Sequence, residues 1–468
     1  MVAEGVRVAF CAHLFMMVYR DRYKGLPMRR VLSFFCRKMP SFKRRDVFLC
    51  ASGLFDHYDT ALYGFLAPFM APFFFPHTHF WVQLILSYSV FVVGILFRPL
   101  GVLCAFYMAH KGLYRPLHLS MPLLAFCMFL MALLPTHAQV GFLAPLILFT
   151  VRALIDFSVA LERCVIKFAL IDRSKDKTAL RLSSAYEVAS LMGTFFACLA
   201  PFVMKTLIAP QHFPHAWRLF FLLGALCAAL VALLRKRFLG VASPKNALKL
   251  KGEGNFSRTV ACLFKRRLVL LRLSLAHSFS YATYSFAFII IALLMPMIFE
   301  VKPAIFFERA PLFWGIDVLC FFGIALFCGH TPPQKLMKVA LLALIVTLVP
   351  LFLLWGEGVA GLSFVLRIWI IVWGVVFSAA LPLWERAITP LSPERYLLSG
   401  LARAFGSGIL GRNLVALTLF VFHLFPSPLT PALILTCLAC AALWALRERE
   451  AILPFKRLMA RLRVNRAF

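Results

Sequence analysis

Acidic residues are scarce in this chain: 19 Asp and Glu stand against 50 Lys and Arg in 468 residues, and charged residues of both signs make only 15%. A soluble domain carries about a quarter charged residues, so a water-facing surface along the whole chain is excluded. Other signatures are missing too. No Gly-rich Walker loop is present to cradle nucleoside phosphates, which excludes the usual ATP-driven pump, and no H-E-x-x-H or Ser-His-Asp pattern argues for an intramembrane hydrolase. Cysteines lie mostly singly in apolar runs, as at Cys104, Cys127 and Cys198. The one C-x-x-C, Cys437 to Cys440, falls inside an apolar run with no second pair to complete a zinc site. A packing role is expected there, and no metal, redox group or other cofactor.

What the chain has in abundance is apolar residues, 62% of the total, with a mean hydropathy of +0.86. Only lipid absorbs that much apolar surface, and each crossing needs about 20 apolar residues. The pattern predicts an all-α membrane protein of about twelve transmembrane helices, over 48–75, 80–105, 117–135, 140–170, 181–208 and 217–234, then 268–298, 310–328, 336–355, 359–383, 396–424 and 429–446. The net charge of +31 is concentrated in short segments between these runs, which fits cytoplasmic loops beside anionic lipid and not a nucleic-acid surface. Loops carrying Lys111 and Arg115, Arg173 and Lys175, Lys335 and Lys338, and Arg386 and Arg395 alternate with loops almost free of cations. Both termini are therefore expected in the cytoplasm. Residues 1–47 read as a basic cytoplasmic extension, 48–234 as a first six-helix bundle, 235–267 as a basic connector, 268–446 as a second bundle and 447–468 as a basic tail.

An ionisable residue inside a span is a functional candidate, because lipid makes it costly. Asp56 and Asp59 lie three apart on one helical face of the first span. Two close carboxylates favour keeping one protonated, which suits proton coupling; hydration at the cytoplasmic mouth is the other reading, chiefly for Asp56. Arg152 and Asp156 are spaced to pair along one helix, leaving Arg152 either as a structural ion pair or as a substrate contact. Glu162 lies near the cytoplasmic end of its span, where hydration or gating is expected. Glu187, beside Tyr186, is a candidate for a cavity wall. Asp317, Arg367 and Arg403 are isolated charges needing a partner or water, and His277 with Tyr281 reads as helix packing.

The run Asp56-His57-Tyr58-Asp59, followed by Tyr63-Gly64, Ala67-Pro68 and Phe74-Phe75-Pro76, resembles the first helix of the metabolite:proton symporter branch of the major facilitator superfamily. Arg98-Pro99-Leu100-Gly101, the stretch from Arg152 to Glu162, Ala216-Trp217-Arg218-Leu219 and Arg395-Tyr396 with Gly400 follow in the order that branch has them. The resemblance implies two six-helix halves rocking about a central site, a secondary transporter and not an enzyme, and proton symport of a zwitterion such as proline or betaine, or of a carboxylate. It implies a multi-pass protein of a bacterial inner membrane, acting as a monomer on protons and a small molecule. Asp56 and Asp59 are its proton-coupling candidates; Tyr58, Tyr63, Arg152, Glu187 and Arg403 its cavity candidates; Arg98, Gly101, His110, Lys111, Asp156 and Glu162 its gating or structural candidates. One departure stands out. The family's gating Asp-Arg reads His110-Lys111 here, and its Gly reads Leu113, so the usual carboxylate latch cannot form. That keeps two alternatives open, an exchanger of anionic or phosphorylated metabolites and a non-transporting membrane scaffold or sensor.

Overall fold

The apolar runs fold as helices, since a chain in lipid must satisfy its backbone hydrogen bonds internally. The computed structural model describes residues 44–76, 83, 86–87, 89–90, 94–112, 114–171, 176–207, 213–239, 261, 263–294, 310–327, 331–356, 362–389 and 394–447. Most of the basic extension, connector and tail expected from the sequence lies outside them. Helix α1 spans Arg44–Phe74, α2 Gly94–Lys111, α3 Arg115–Ala132, and α4 Leu143–Arg163, which a turn joins to a short helix Ile166–Ile171. Then come α5 (Asp176–Leu207), α6 (Phe213–Leu239), α7 (Arg267–Ser285, running into a π-helical turn Phe286–Ile290), α8 (Ala310–Phe327), α9 (Pro333–Gly356) and α10 (Leu362–Ile388). Helix α11 runs from Glu394–Arg403 through a π-helical stretch Ala404–Gly411 to Arg412–Leu424, and α12 is Leu429–Ala445. Among the described residues, eight helical stretches are long and apolar enough to cross a membrane, and three shorter ones are apolar.

Within the first part, α1 packs on α5 and α6, α3 on α4 and α6, and α2 on α4. Within the second, α7 packs on α10, α11 and α12, α9 on α10 and α12, and α8 on α10. The two parts meet where α2 touches α11 and where α5 touches α8 and α10. One apolar core, including Leu62, Met128 and Trp217, sits inside the first part. Another runs from the seam at Cys164, Phe168 and Tyr396 through the second.

Without a hydrophobic drive between helices in lipid, small residues set how closely they approach. A side chain at Gly193 of α5 would run into the Leu54 carbonyl of α1, and one at Gly53 would meet Tyr186 at 2.8 Å. Replacing Gly193 by Leu therefore forces α1 and α5 apart, and overpacking of this kind costs about 1–3 kcal/mol. The variant is expected to unfold several degrees below the wild type in a detergent melting curve; an unchanged midpoint would mean the two backbones do not meet there.

The polar connector begins later than the charge pattern suggests. Helix α6 continues to Leu239, and Arg235 within it is 1% exposed. Nor do Cys437 and Cys440 pack inside the bundle, since both are exposed free thiols on the outer face of α12.

Candidate functional site

Helix α4 organises the polar interior. Its buried positions include Leu148, Val151, Arg152, Ile155, Asp156, Val159 and Glu162, a spacing of three and four that turns one face inward. Arg152, Asp156 and Glu162 lie on that face, so charges that would be ruinous toward lipid meet partners on neighbouring helices.

Arg152, 1% exposed, donates from Nη1 to Asp59 Oδ2 of α1 at 2.9 Å and lies 4.7 Å over the ring of Tyr63. Asp156 accepts instead from Arg98 of α2, at 3.0 Å from Nε and 2.7 Å from Nη2, with Arg412 of α11 at 3.9 Å. The pairing along α4 expected from the 152–156 spacing is thus replaced by two cross-helix pairs, because the arginine side chains are long enough to reach carboxylates on the facing helices. Asp56 is 2% exposed, which removes the hydrated reading for it; it accepts from Arg163 Nε at 2.6 Å. Asp56 and Asp59 thus each face a guanidinium of their own, Arg163 and Arg152.

Glu162 is also buried, at 3% exposure, and not hydrated. Its oxygens accept from Arg235 Nη2 at 3.1 Å, Arg235 Nη1 at 3.2 Å and Ser120 Oγ at 2.7 Å, while Arg235 also reaches Ser52 at 3.1 Å. These contacts tie α1, α3, α4 and α6 together inside the first part, so Glu162 is a structural anchor. Removing one member of a buried pair strands the other charge, at a cost of about 3–5 kcal/mol. Glu162→Gln is expected to lose most of its folded yield, and adding Arg235→Met to recover much of it; fluorescence size-exclusion profiles of the two variants decide the matter.

Tyr58 turns away from any cavity, with its hydroxyl donating to the Phe220 carbonyl of α6 at 3.0 Å, and so packs the first part. Tyr63 donates to the Ser87 carbonyl at 2.8 Å. Gly101 lets α2 approach α4, where an added side chain would stand 2.6 Å from the Phe157 carbonyl. His110 and Lys111 end α2, and their side chains lie outside the described residues.

A second polar group crosses the seam between the two parts. Arg403 of α11 donates to the Arg163 carbonyl at 2.9 Å and lies 3.6 Å from Glu385 of α10. Glu385, fully buried, also meets His277 Nε2 of α7 at 3.3 Å, so His277 is a polar partner and not only a packing residue. Arg386 donates to the Ile171 carbonyl at 2.8 Å, and the Cys164 thiol to the Tyr396 carbonyl at 3.1 Å. Glu187 pairs with Lys167 beside this group. Where α11 crosses the seam at Gly400, any larger residue would strike Val102 of α2 at 2.6 Å. A narrow cavity there is lined by Arg98, Arg163 and Arg403 with Val102, Val159 and Gly400. Arg367 meets its need differently, donating to the Ala287 carbonyl at 2.6 Å and lying 3.8 Å over Phe313.

Sequence reasoning missed Glu385, Arg412 and Arg235. Glu385 and Arg235 stand just past the ends of predicted spans, next to Arg386 and Lys236, where a charge reads as flanking polarity; Arg412 lies inside the span 396–424, beside Asn413. No group of His, Cys, Asp and Glu fit to hold a metal occurs among the described residues.

This arrangement of helices is the major facilitator fold. The proton:xylose symporter XylE superposes with a TM-score of 0.65 at 13% identity, over 86% of this chain and 94% of that one. The transporter FucP in its outward conformation gives 0.65 at 14%, over 87% and 99%. No protein-family model matches the chain. Among sequence relatives, the citrate-proton symporter of Klebsiella pneumoniae is 26% identical over 184 residues, 39% of this chain and 41% of the relative. The glycine betaine/proline/ectoine/pipecolic acid transporter OusA of Dickeya dadantii is 23% identical over 386 residues, 76% of this chain and 72% of the relative. The proline/betaine transporter of Salmonella typhimurium is 26% identical over 36% of this chain and 34% of the relative. The alignments with the Klebsiella and Salmonella proteins thus span less than half of those relatives' length. The chain thus shares the major facilitator fold, and the sequence relatives it resembles are membrane transporters, which with its apolar helices makes it a multi-pass membrane protein.

Proposed function

We propose that the protein is a proton-coupled symporter of a small polar metabolite carrying a carboxylate, a zwitterion such as proline or betaine or a carboxylic acid, working by alternating access. The observation that carries this reading is the buried Asp59–Arg152 pair at 2.9 Å between α1 and α4. An ion pair in a low-dielectric interior holds the carboxylate ionised only while the guanidinium stays with it. A substrate carboxylate that takes Arg152 leaves Asp59 without its counter-charge, and the cheapest response is to bind a proton. Substrate and proton then load together, which is the requirement for symport. Asp56, held by Arg163, is the second proton-coupling candidate; Arg403 lines the seam cavity, with Glu187 held by Lys167 nearby.

In this reading twelve spans form two six-helix halves, with both termini on the cytoplasmic side of a bacterial inner membrane, and the monomer is the working unit. The end of the bundle bearing Arg163, Glu385 and Arg403 then faces the cytoplasm, and this conformation is closed on that side. The contacts of Arg403 with Glu385 and with the Arg163 carbonyl, and the Asp156–Arg412 approach, would serve as the latch that His110-Lys111 cannot form. A second reading, exchange of anionic metabolites, draws on the three arginines lining the seam cavity.

Uptake of labelled proline, betaine, α-ketoglutarate, citrate and glucose 6-phosphate into proteoliposomes, with and without an outside-acid pH gradient, separates the readings. Symport predicts accumulation of at least one compound only with the gradient. Accumulation that ignores the gradient but needs an anion inside supports the exchanger, and no uptake by folded protein supports the scaffold.

A further inference from the structure

Asp317 differs from every other acid discussed above. Asp56, Asp59, Asp156, Glu162, Glu187 and Glu385 each hold a basic partner. Asp317, in the middle of α8 and 6% exposed, has no cation within ion-pair distance among the described residues.

Its surroundings are aromatic. Trp314 lies one turn earlier on α8, with Phe288 stacked on it at 4.1 Å and 22° between ring planes, and Tyr284 at 5.7 Å. Tyr281 is 5.6 Å from Tyr284. Tyr281, Tyr284 and Phe288 are only partly buried, although α7 is packed within the bundle. Through Trp314, which shares a helical face with Asp317, these rings of α7 stand on the side of α8 that carries the acid. A lone buried carboxylate beside electron-rich ring faces is what a substituted ammonium group needs: the acid supplies the counter-charge and the rings supply cation–π attraction without competing hydrogen bonds.

We propose that Asp317, Trp314, Tyr284 and Phe288 form the subsite for the cationic nitrogen of the substrate, whose carboxylate goes to Arg152, so that the transported compound is a zwitterion with a substituted ammonium and not a polycarboxylate. This rests on the transport reading and narrows its substrate class. It also gives a use to an unpaired acid in the middle of a span, where its cost is highest.

The test is equilibrium binding of labelled glycine betaine, proline and citrate to the purified full chain in nanodiscs, run beside gradient-driven uptake. Betaine or proline is expected to bind, and Asp317→Asn to weaken that binding about 30-fold or more, with Asp317→Glu largely restoring it. Trp314→Phe is expected to retain binding and Trp314→Leu to lose it, a split that packing alone would not give. Unchanged betaine affinity in folded Asp317→Asn overturns the subsite. Gradient-driven citrate uptake without betaine or proline binding also overturns it while leaving symport standing. Betaine binding that needs Asp317, without any gradient-driven uptake, sinks symport and leaves the subsite in place.

Discussion

Asp59→Asn is expected to abolish gradient-driven accumulation of substrate while leaving exchange of labelled for unlabelled substrate across the membrane measurable. The reasoning follows from the pair. Asparagine cannot take up a proton, so the step that links the gradient to the loaded carrier disappears, whereas reorientation of a carrier already neutral at that position does not need it. A complication is built in: the variant leaves Arg152 buried beside a neutral partner, which costs about 3–5 kcal/mol. The double variant Asp59→Asn with Arg152→Gln removes both charges and is expected to regain stability without regaining coupling. Recovery of gradient-driven uptake in the double variant would remove Asp59 from the coupling mechanism.

The second large effect concerns the seam. Glu385 is fully buried and holds both His277 and Arg403, and Arg403 in turn holds the Arg163 carbonyl of the first part. Glu385→Gln takes away the charge that keeps Arg403 at the seam, so the conformation closed at this end loses one of its main cross-links. Cys164 reports on that closure directly. Its thiol is 1% exposed and donates to the Tyr396 carbonyl across the seam. Alkylation of Cys164 by a maleimide, followed peptide by peptide so that exposed Cys437 and Cys440 do not interfere, is expected to speed up about tenfold or more in Glu385→Gln. That corresponds to about 1.4 kcal/mol off the closed state. An unchanged rate would mean that the seam is held elsewhere, by α2 against α11 at Gly400.

How much of this was legible in the sequence depends on the range of the interaction. The helices were readable because apolar runs in lipid have one backbone solution, and the predicted spans overlap the described helices with shifts of a few residues at most of their described ends. The first-helix run from Asp56 to Pro68 marked the right helix because acids inside apolar sequence are rare. Partner choice was not readable. The spacing of Arg152 and Asp156 suggests a pair within α4, but the partners lie 93 and 58 positions away, at Asp59 and Arg98. Helical periodicity says which face a residue occupies and nothing about which helix that face meets. Arg235 shows the same limit from the other side: it follows an apolar run and precedes Lys236 and Arg237, so it reads as loop, yet Glu162 draws it into the bundle. The loss of the family's loop latch was plain in His110-Lys111, whereas the seam contacts of Glu385, Arg403 and Arg412 exist only once α4, α10 and α11 are brought together.

The most direct check of the central claim is a pH recording in a lightly buffered suspension of proteoliposomes with no gradient imposed, as betaine, proline or citrate is added in turn. Proton-coupled symport predicts that one of these makes the external medium more alkaline, as protons follow substrate inward, and that Asp59→Asn abolishes the change. Uptake of the same compound with no movement of external pH would contradict proton coupling outright.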